Sequence, residues 1–396
     1  MGSIKDQVAI IGMGLSKFGE NWESSSDDMI IEATYEAYED AGIGPKDIQA
    51  AFVGTIFSGV TAACVTEPLK LDYLPVTRVE NNCASGLEAL RVASFSIACG
   101  MYDNALVVGF EKLKDCGYSS LPNPSQDSLH PLFGSGVTGP GSFALAATRY
   151  FHKYGISMDD GKRTLAKIAV KNHHNGSFHP KAMYQREVTL EAVINAPPIA
   201  WPLGLFDCCP TTDGAAAAIL TRADLAKSFR DDYVLVKGLG LSVGRINPWT
   251  GKCREDVELT FWVETDIAAK QAYDQAGVKD PRKEISMAEV HDCFTITELI
   301  NYESLGFAPV GKGKEDVDAG TFTLEGQLPV NTDGGLKAFG HPIGASGIRM
   351  ACECYKQLQG KAGRRQVKNP TLGLAHSQGG IPGAFEGSVA IFGARD

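Results

Sequence analysis

The chain has 396 residues, of which 44% are hydrophobic and 21% charged, with a formal net charge of −10 at pH 7. That length and apolar content suffice for large buried cores in two or three domains, and the acidic balance argues against a nucleic-acid surface. No apolar run reaches the roughly 18 to 20 residues of a membrane span, and the N-terminus lacks a secretory pattern, so the expected compartment is the cytoplasm.

In chain order, Gln7-Val8-Ala9-Ile10-Ile11-Gly12 is a short apolar run ending in glycine, as a buried strand would be. A helix follows: Ile30, Ile31, Thr34, Ala37, Tyr38 and Ala41 recur at three- and four-residue intervals, between a Ser/Asp cluster suited to an N-cap and a stopping Gly42. The end of that helix occurs twice. Ala37-Tyr38-Glu39-Asp40-Ala41-Gly42-Ile43 reads against Ala272-Tyr273-Asp274-Gln275-Ala276-Gly277-Val278, and apolar segments ending at Val53 and Val290 follow the two copies. A second echo keeps the order: Ala84-Ser85-Gly86 follows Cys83, and Ala345-Ser346-Gly347 lies just beyond His341. Small residues at a helix start let backbone amides approach a ligand. The pattern is an internal repeat, two α/β halves around one site.

Between about Leu113 and Pro210 the pattern loosens into proline- and glycine-rich stretches with helical pieces such as Leu165 to His174, which suits a lid or loop domain. Asp213 to Leu220 then reads as a small-residue central strand, and Val234 to Leu239 as another. The expected division is therefore 1–112 with 211–245 as one half, 113–210 as the inserted domain, and 246–396 as the other half.

Ten cysteines at irregular spacings in a chain this long point to reduced thiols. The pair Cys208-Cys209 and the pair Cys352 and Cys354 lack the two-residue gap of zinc or redox motifs, so they read as small buried hydrophobes and no metal is expected. His173, His174 and His179 have no carboxylate or cysteine to complete a cluster and read as a solvated lid segment. The loop Gly134 to Gly141 lacks the Lys-Ser/Thr of a phosphate-binding loop.

Four groups remain. Cys83 opens a helix after the Asn81-Asn82 turn, where a helix N-terminus lowers a thiol's pKa; the alternative is a structural core cysteine. His291 ends a short strand and Cys293 lies two residues on, so both side chains face one side of an extended segment; a strand-end histidine bonded in a loop is the competing reading. His341, between Gly340 and Pro342, sits where the backbone is fixed. A nucleophilic thiol, a second thiol to carry a proton and two imidazoles are what carbon–carbon chemistry on a thioester requires.

In the segments Asn82-Cys83-Ala84-Ser85-Gly86, His291-Asp292-Cys293-Phe294 and Gly340-His341-Pro342-Ile343-Gly344, the chain resembles the thiolase superfamily over nearly its whole length. The His-Asp-Cys-Phe segment is similar to the sterol-carrier-protein-2 type. The resemblance implies an α/β thiolase fold, two βαβαβαββ halves in five αβαβα layers with an inserted loop domain. It implies coenzyme A as substrate and no permanently bound cofactor. It also implies a homodimeric core and a small companion protein with a zinc ribbon and an OB-fold.

One departure stands near the C-terminus. Where most thiolases carry Cys-x-Gly, this chain has Ala375-His376-Ser377-Gln378-Gly379-Gly380. The resemblance then gives proton transfer to Cys293 and leaves Gly379 or Gly380 to offer an amide to the acyl oxyanion. Lid aromatics Phe133, Phe143, Tyr184, Trp201 and Phe206 are compatible with a bulky acyl group such as that of benzoylsuccinyl-CoA, against acetoacetyl-CoA or a medium-chain 3-oxoacyl-CoA. A ketoacyl-synthase-like condensing enzyme and a non-catalytic acyl-CoA-binding subunit are the alternatives.

Overall fold

In the computed structural model, residues 3–116, 138–245 and 258–394 are described. The first stretch forms β1 (Val8–Leu15), α1 (Ser26–Ala41), β2 (Ala50–Gly54), α2 (Ala63–Leu69), β3 (Val76–Val79), α3 (Ser85–Ala98) and β4 (Asn104–Glu111). The inserted region gives α4 (Gly139–Lys153), α5 (Met158–Gly176), α6 (Leu190–Ile194) and a small hairpin of β5 (Pro198–Ala200) with β6 (Leu203–Gly204). Next come β7 (Gly214–Arg222), α7 (Ala223–Phe229), β8 (Val234–Val243), α8 (Val263–Ala276), α9 (Pro281–Glu284), β9 (Met287–Val290) and α10 (Thr295–Ser304). The chain closes with α11 (Gly313–Asp318), α12 (Gly335–Ala338), α13 (Ile343–Leu358), β10 (Leu372–Ile381) and β11 (Ala384–Ala394).

The repeat is visible in how helices end and pack. Ser25 caps α1 in a reciprocal pair with Asp28, and Gly42 ends it at φ 69°. Gly277 ends α8 in the same left-handed way at φ 85°, a conformation that glycine adopts without a Cβ clash. Each helix lies directly on a strand of its own half. A Cβ at Gly12 of β1 would come within 2.3 Å of Ala37 O in α1, and one at Gly238 of β8 within 2.2 Å of Ala272 O in α8. The two contacts occupy equivalent places in the repeat.

All large strands join one sheet in the order β3-β2-β4-β7-β1-β8-β11-β10-β9. β1 meets β8 at Ala9–Leu235 and Ile10–Val234, while β8 runs antiparallel to β11 along its length. In the second half the place of β3 is reduced to a single parallel bridge, Ala288–Val330. Helices α3 and α13 pack on each other between the two halves of the sheet, and α1 and α8 cover the outer faces. The result is the five-layered arrangement that the resemblance implies.

The central helix pair approaches closer than side chains allow. A Cβ on Gly86 of α3 would stand 2.2 Å from Gly344 O of α13, and one on Gly109 of β4 would stand 2.0 Å from the same oxygen. The inserted region differs in detail from the sequence reading. The helix around Leu165 extends over Met158–Gly176, and His173 is buried on it, 2% exposed, stacked on Tyr184. Of that trio His174 fits the solvated reading, half-exposed beside Glu187. The first half of the Gly134–Gly141 loop, and Phe133, lie outside the described residues.

The glycine contact makes a prediction. Gly109→Ala must push β4 away from α13, and overpacking of this kind costs about 2 kcal/mol. Equilibrium urea unfolding should show that loss; an unchanged midpoint would mean that the two elements do not meet through bare backbone.

Candidate active site

The Cys83 loop is shaped by its asparagines. Asn82 takes φ 46°, a left-handed value that asparagine tolerates better than most residues. Ser85 holds this kink: its Oγ accepts from Asn81 N–H at 2.9 Å and donates to Asn82 O at 2.6 Å. Ala84 N–H bonds back to Asn81 O at 2.9 Å, and Ser85 N–H to Asn82 O at 3.0 Å. The Cys83 N–H has no acceptor among the described residues. It is an orphan donor at the start of a helix, beside a half-buried thiol.

His341 precedes α13 after Gly340, whose φ is 117°. Its N–H bonds to Thr212 Oγ1 at 3.1 Å. The single hydroxyl hydrogen of Ser346 goes to Pro342 O at 2.9 Å, so Ser346 Oγ accepts from His341 Nδ1–H at 2.8 Å. That assignment leaves Nε2 as a bare lone pair, and it has no partner among the described residues. His291, at the end of β9, is 1% exposed and also has an unpartnered nitrogen, Nδ1. The two rings stand 5.3 Å apart at 83°.

Cys83, His291 and His341 each present a sulfur or nitrogen within 4.8 Å of the others. Such spacing would also suit a soft metal ion, and no other grouping of this kind occurs among the described residues. Cys293 adjoins the trio and is 8% exposed, with its Sγ 3.6 Å from Thr297 Oγ1. Asp292 ties its segment to the histidine loop, accepting from Leu336 N–H at 2.6 Å and from Lys337 N–H at 3.2 Å.

Electrostatics correct one expectation. The helix N-terminus does not win at Cys83: burial, and then the nearby Cys209 and Glu386, push the thiol up. A helix end contributes typically 0.3–1 kcal/mol, less than the desolvation of a charge in a crowded pocket. Burial pushes Cys293 up as well, with Cys209 and Cys83 adding to it. Burial pulls His341 down to about 3 and holds His291 well below the usual range. The resting site is therefore neutral thiols facing neutral imidazoles.

Three residues were not singled out by sequence. Cys209, read there as a core hydrophobe, donates its N–H to Cys293 O at 2.9 Å and stands near both site thiols. Nothing in its local pattern separates it from Cys208; only the antiparallel bridge of Cys208 with Phe294 brings it in. Ser377 Oγ donates to Cys83 O at 2.7 Å. Glu386, on β11 opposite Gly379, accepts from Asn82 Nδ2.

The remaining candidates divide. Gly379 abuts the Cys83 loop, since a Cβ there would lie 2.6 Å from Asn81 O. Gly380 follows it at φ 89°. His376 is fully buried in a separate contact, Nε2 to Thr265 Oγ1 at 3.1 Å. Of the lid aromatics, Phe143 packs on Phe294 with ring centroids 4.5 Å apart, while Trp201 is 66% exposed. Tyr184 and Phe206 pack on His173 instead.

This fold and this cluster of thiols and imidazoles define a thioester acyl-transfer enzyme of the thiolase type. Family models agree: residues 8–196 match the thiolase N-terminal domain and residues 248–393 the thiolase C-terminal domain-like family. The chain is 38% identical to an acetyl-CoA acetyltransferase of Methanothermobacter thermautotrophicus, over 97% of this chain and 99% of that one. It is 33% identical to sterol carrier protein 2 of Gallus gallus, over 94% of this chain and 70% of that protein. Among solved structures it resembles an Ltp2-ChsH2(DUF35) aldolase, with a TM-score of 0.85 and 26% identity over 99% of this chain and 98% of that one. The chain belongs to the thiolase family and is an acyltransferase of that family. No helix among the described residues is long and apolar enough to cross a membrane.

A raised thiol pKa has a direct consequence. The thiolate fraction of Cys83 should climb about tenfold per pH unit, so alkylation by iodoacetamide should rise from pH 7 to 9 without levelling. A plateau below pH 8 would instead indicate a preformed thiolate–imidazolium pair.

Proposed function

We propose that the protein cleaves a 3-oxoacyl-CoA with free coenzyme A through an acyl-cysteine intermediate. The observation that carries this reading is the convergence of Cys83, His341 and His291 at mutual distances within 4.8 Å, with Cys293 alongside. In the scheme, His341 Nε2 takes the Cys83 proton as sulfur attacks the C3 carbonyl. The resulting oxyanion is received by the Cys83 N–H and an amide of Gly379 or Gly380. Collapse breaks the C2–C3 bond and leaves the shortened acyl group on sulfur. Cys293 protonates C2 of the departing thioester enolate, whose oxygen is stabilised by His291 and protonated His341. The Cys293 thiolate then removes the proton of incoming coenzyme A, which takes the acyl group, and His341 returns its proton to Cys83.

For the substrate, the proposal favours a bulky or aromatic acyl group, with benzoylsuccinyl-CoA, cleaved to benzoyl-CoA and succinyl-CoA, as the particular candidate. Its support is the aromatic wall behind Cys293: Phe294, Phe143, Phe385 and Trp262 pack in series, with ring centroids 4.5, 6.0 and 5.0 Å apart. The proposed assembly is a thiolase dimer with a small zinc-ribbon and OB-fold companion, placed in the cytoplasm. The Ltp2-ChsH2(DUF35) pairing in a structural relative supports the companion.

Intact-mass spectrometry after incubation with acetyl-, succinyl- or benzoyl-CoA, followed by peptide mapping, tests the scheme. An acyl adduct on Cys83, absent in Cys83→Ala, is expected, and the group that loads fastest ranks the substrates. Cys293→Ala should still be acylated but should lose exchange of α-protons of acyl-CoA with solvent; full exchange would remove Cys293 from the proton-transfer role. No adduct, with or without a co-purifying partner, would favour a non-catalytic acyl-CoA-binding subunit.

A further inference from the structure

The peptide between Asn82 and Cys83 carries the orphan N–H of the site, and its orientation is held from both ends. On the nucleophile side, Asn82 O is fixed by Ser85 N–H at 3.0 Å and Ser85 Oγ at 2.6 Å. In a trans peptide the N–H points opposite to the C=O, so anchoring that oxygen aims the Cys83 N–H away from the helix. On the other side lies the β10–β11 hairpin, where Glu386 is paired with Gly379.

The hairpin reaches the loop by two side chains. Ser377 Oγ donates to Cys83 O at 2.7 Å. The half-buried Glu386 carboxylate accepts from Asn82 Nδ2 with both oxygens, at 3.3 and 3.2 Å. Gly379 makes room for the contact: a Cβ there would lie 2.6 Å from both Asn81 O and Asn82 Cβ, and 2.8 Å from Glu386 Oε2. Bare backbone at this point lets the carboxylate cross from strand to loop. The same hairpin carries the amides of Gly379 and Gly380.

We infer that Glu386 is a positioning residue for acyl transfer, a clamp through Asn82 that holds the Cys83 amide and one glycine amide of the hairpin, that of Gly379 or Gly380, in register as an oxyanion-binding pair. The inference rests on the reading of Cys83 as the acylated nucleophile. Glu386 touches no reacting atom in this role; it acts through the loop. A shift of about 1 Å in such a donor is enough to cost on the order of 10²-fold in rate.

The test uses the full-length protein, with any co-purifying partner, and whichever of acetyl-, succinyl- and benzoyl-CoA loads Cys83 fastest. Two rates are measured at one pH: acylation of Cys83 by mass spectrometry, and its alkylation by iodoacetamide, which needs a reactive thiol but no oxyanion site. Glu386→Ala should slow acylation about 10²-fold and leave alkylation unchanged or faster, since a neighbouring negative charge is removed. Glu386→Gln keeps an oxygen for Asn82 Nδ2 and should restore acylation toward wild type. Asn82→Gly, which keeps the left-handed backbone accessible, should match Glu386→Ala, and the double variant should be no slower than either single one.

Equal slowing of both reactions in Glu386→Ala, or slowing of neither, would overturn the clamp. So would a Gln variant as impaired as the Ala variant. Failure of the wild-type protein to form any adduct would bring down the proposed function and the clamp with it, whereas a normal wild-type adduct with an unaffected Glu386→Ala removes the clamp alone.

Discussion

The close approach of α3 and α13 is the contact on which the site depends. The helices meet at their N-terminal ends, where Gly86 faces Gly344 O and Gly347 faces Leu87 N, and they do so between the two halves of the sheet. Any side chain at these glycines would separate the helix starts, and each helix start carries one of the groups proposed for acyl transfer: Cys83 just ahead of α3, His341 just ahead of α13. Close packing leaves no slack to absorb such a separation, because an interior at crystal-like density transmits a displacement instead of damping it.

Burial then decides the chemistry of the resting state. The site lies deep enough that neither thiolate nor imidazolium is solvated, so Cys83 and Cys293 are pushed up and His291 and His341 down. A neutral thiol is a poor nucleophile but is protected until a substrate arrives, and a neutral imidazole is a competent base. In the proposed scheme charge is generated only when the thiol attacks, next to polar groups that already lack partners. Those unmade hydrogen bonds are themselves costly in a folded interior, and three of them, at Cys83 N–H, His291 Nδ1 and His341 Nε2, fall at the candidate site.

Much of the architecture was legible in one dimension because it is written twice. The Ala-x-x-x-Ala-Gly helix endings near Gly42 and Gly277 and the Ala-Ser-Gly helix starts are local patterns whose physical causes, a left-handed C-cap and a small-residue contact, operate within a few residues. His173 was misread because an imidazole on a helix carries no local sign of which side faces the core; the fold turned it onto Tyr184 and Phe206. The same holds for Cys209, indistinguishable in sequence from Cys208.

The sequence by itself determined the duplicated α/β pattern, the family resemblance and the four residues of the candidate site, since each of these rests on periodicity or on motifs of a few adjacent residues. Tertiary structure alone decided that Cys209, Ser377 and Glu386 belong beside Cys83, that His376 turns its Nε2 to Thr265, and that the Cys83 thiol is raised where the helix end would have lowered it. Those outcomes depend on desolvation and on contacts between segments nearly 300 positions apart, such as Ser377 with Cys83, and neither leaves a mark on the neighbouring residues.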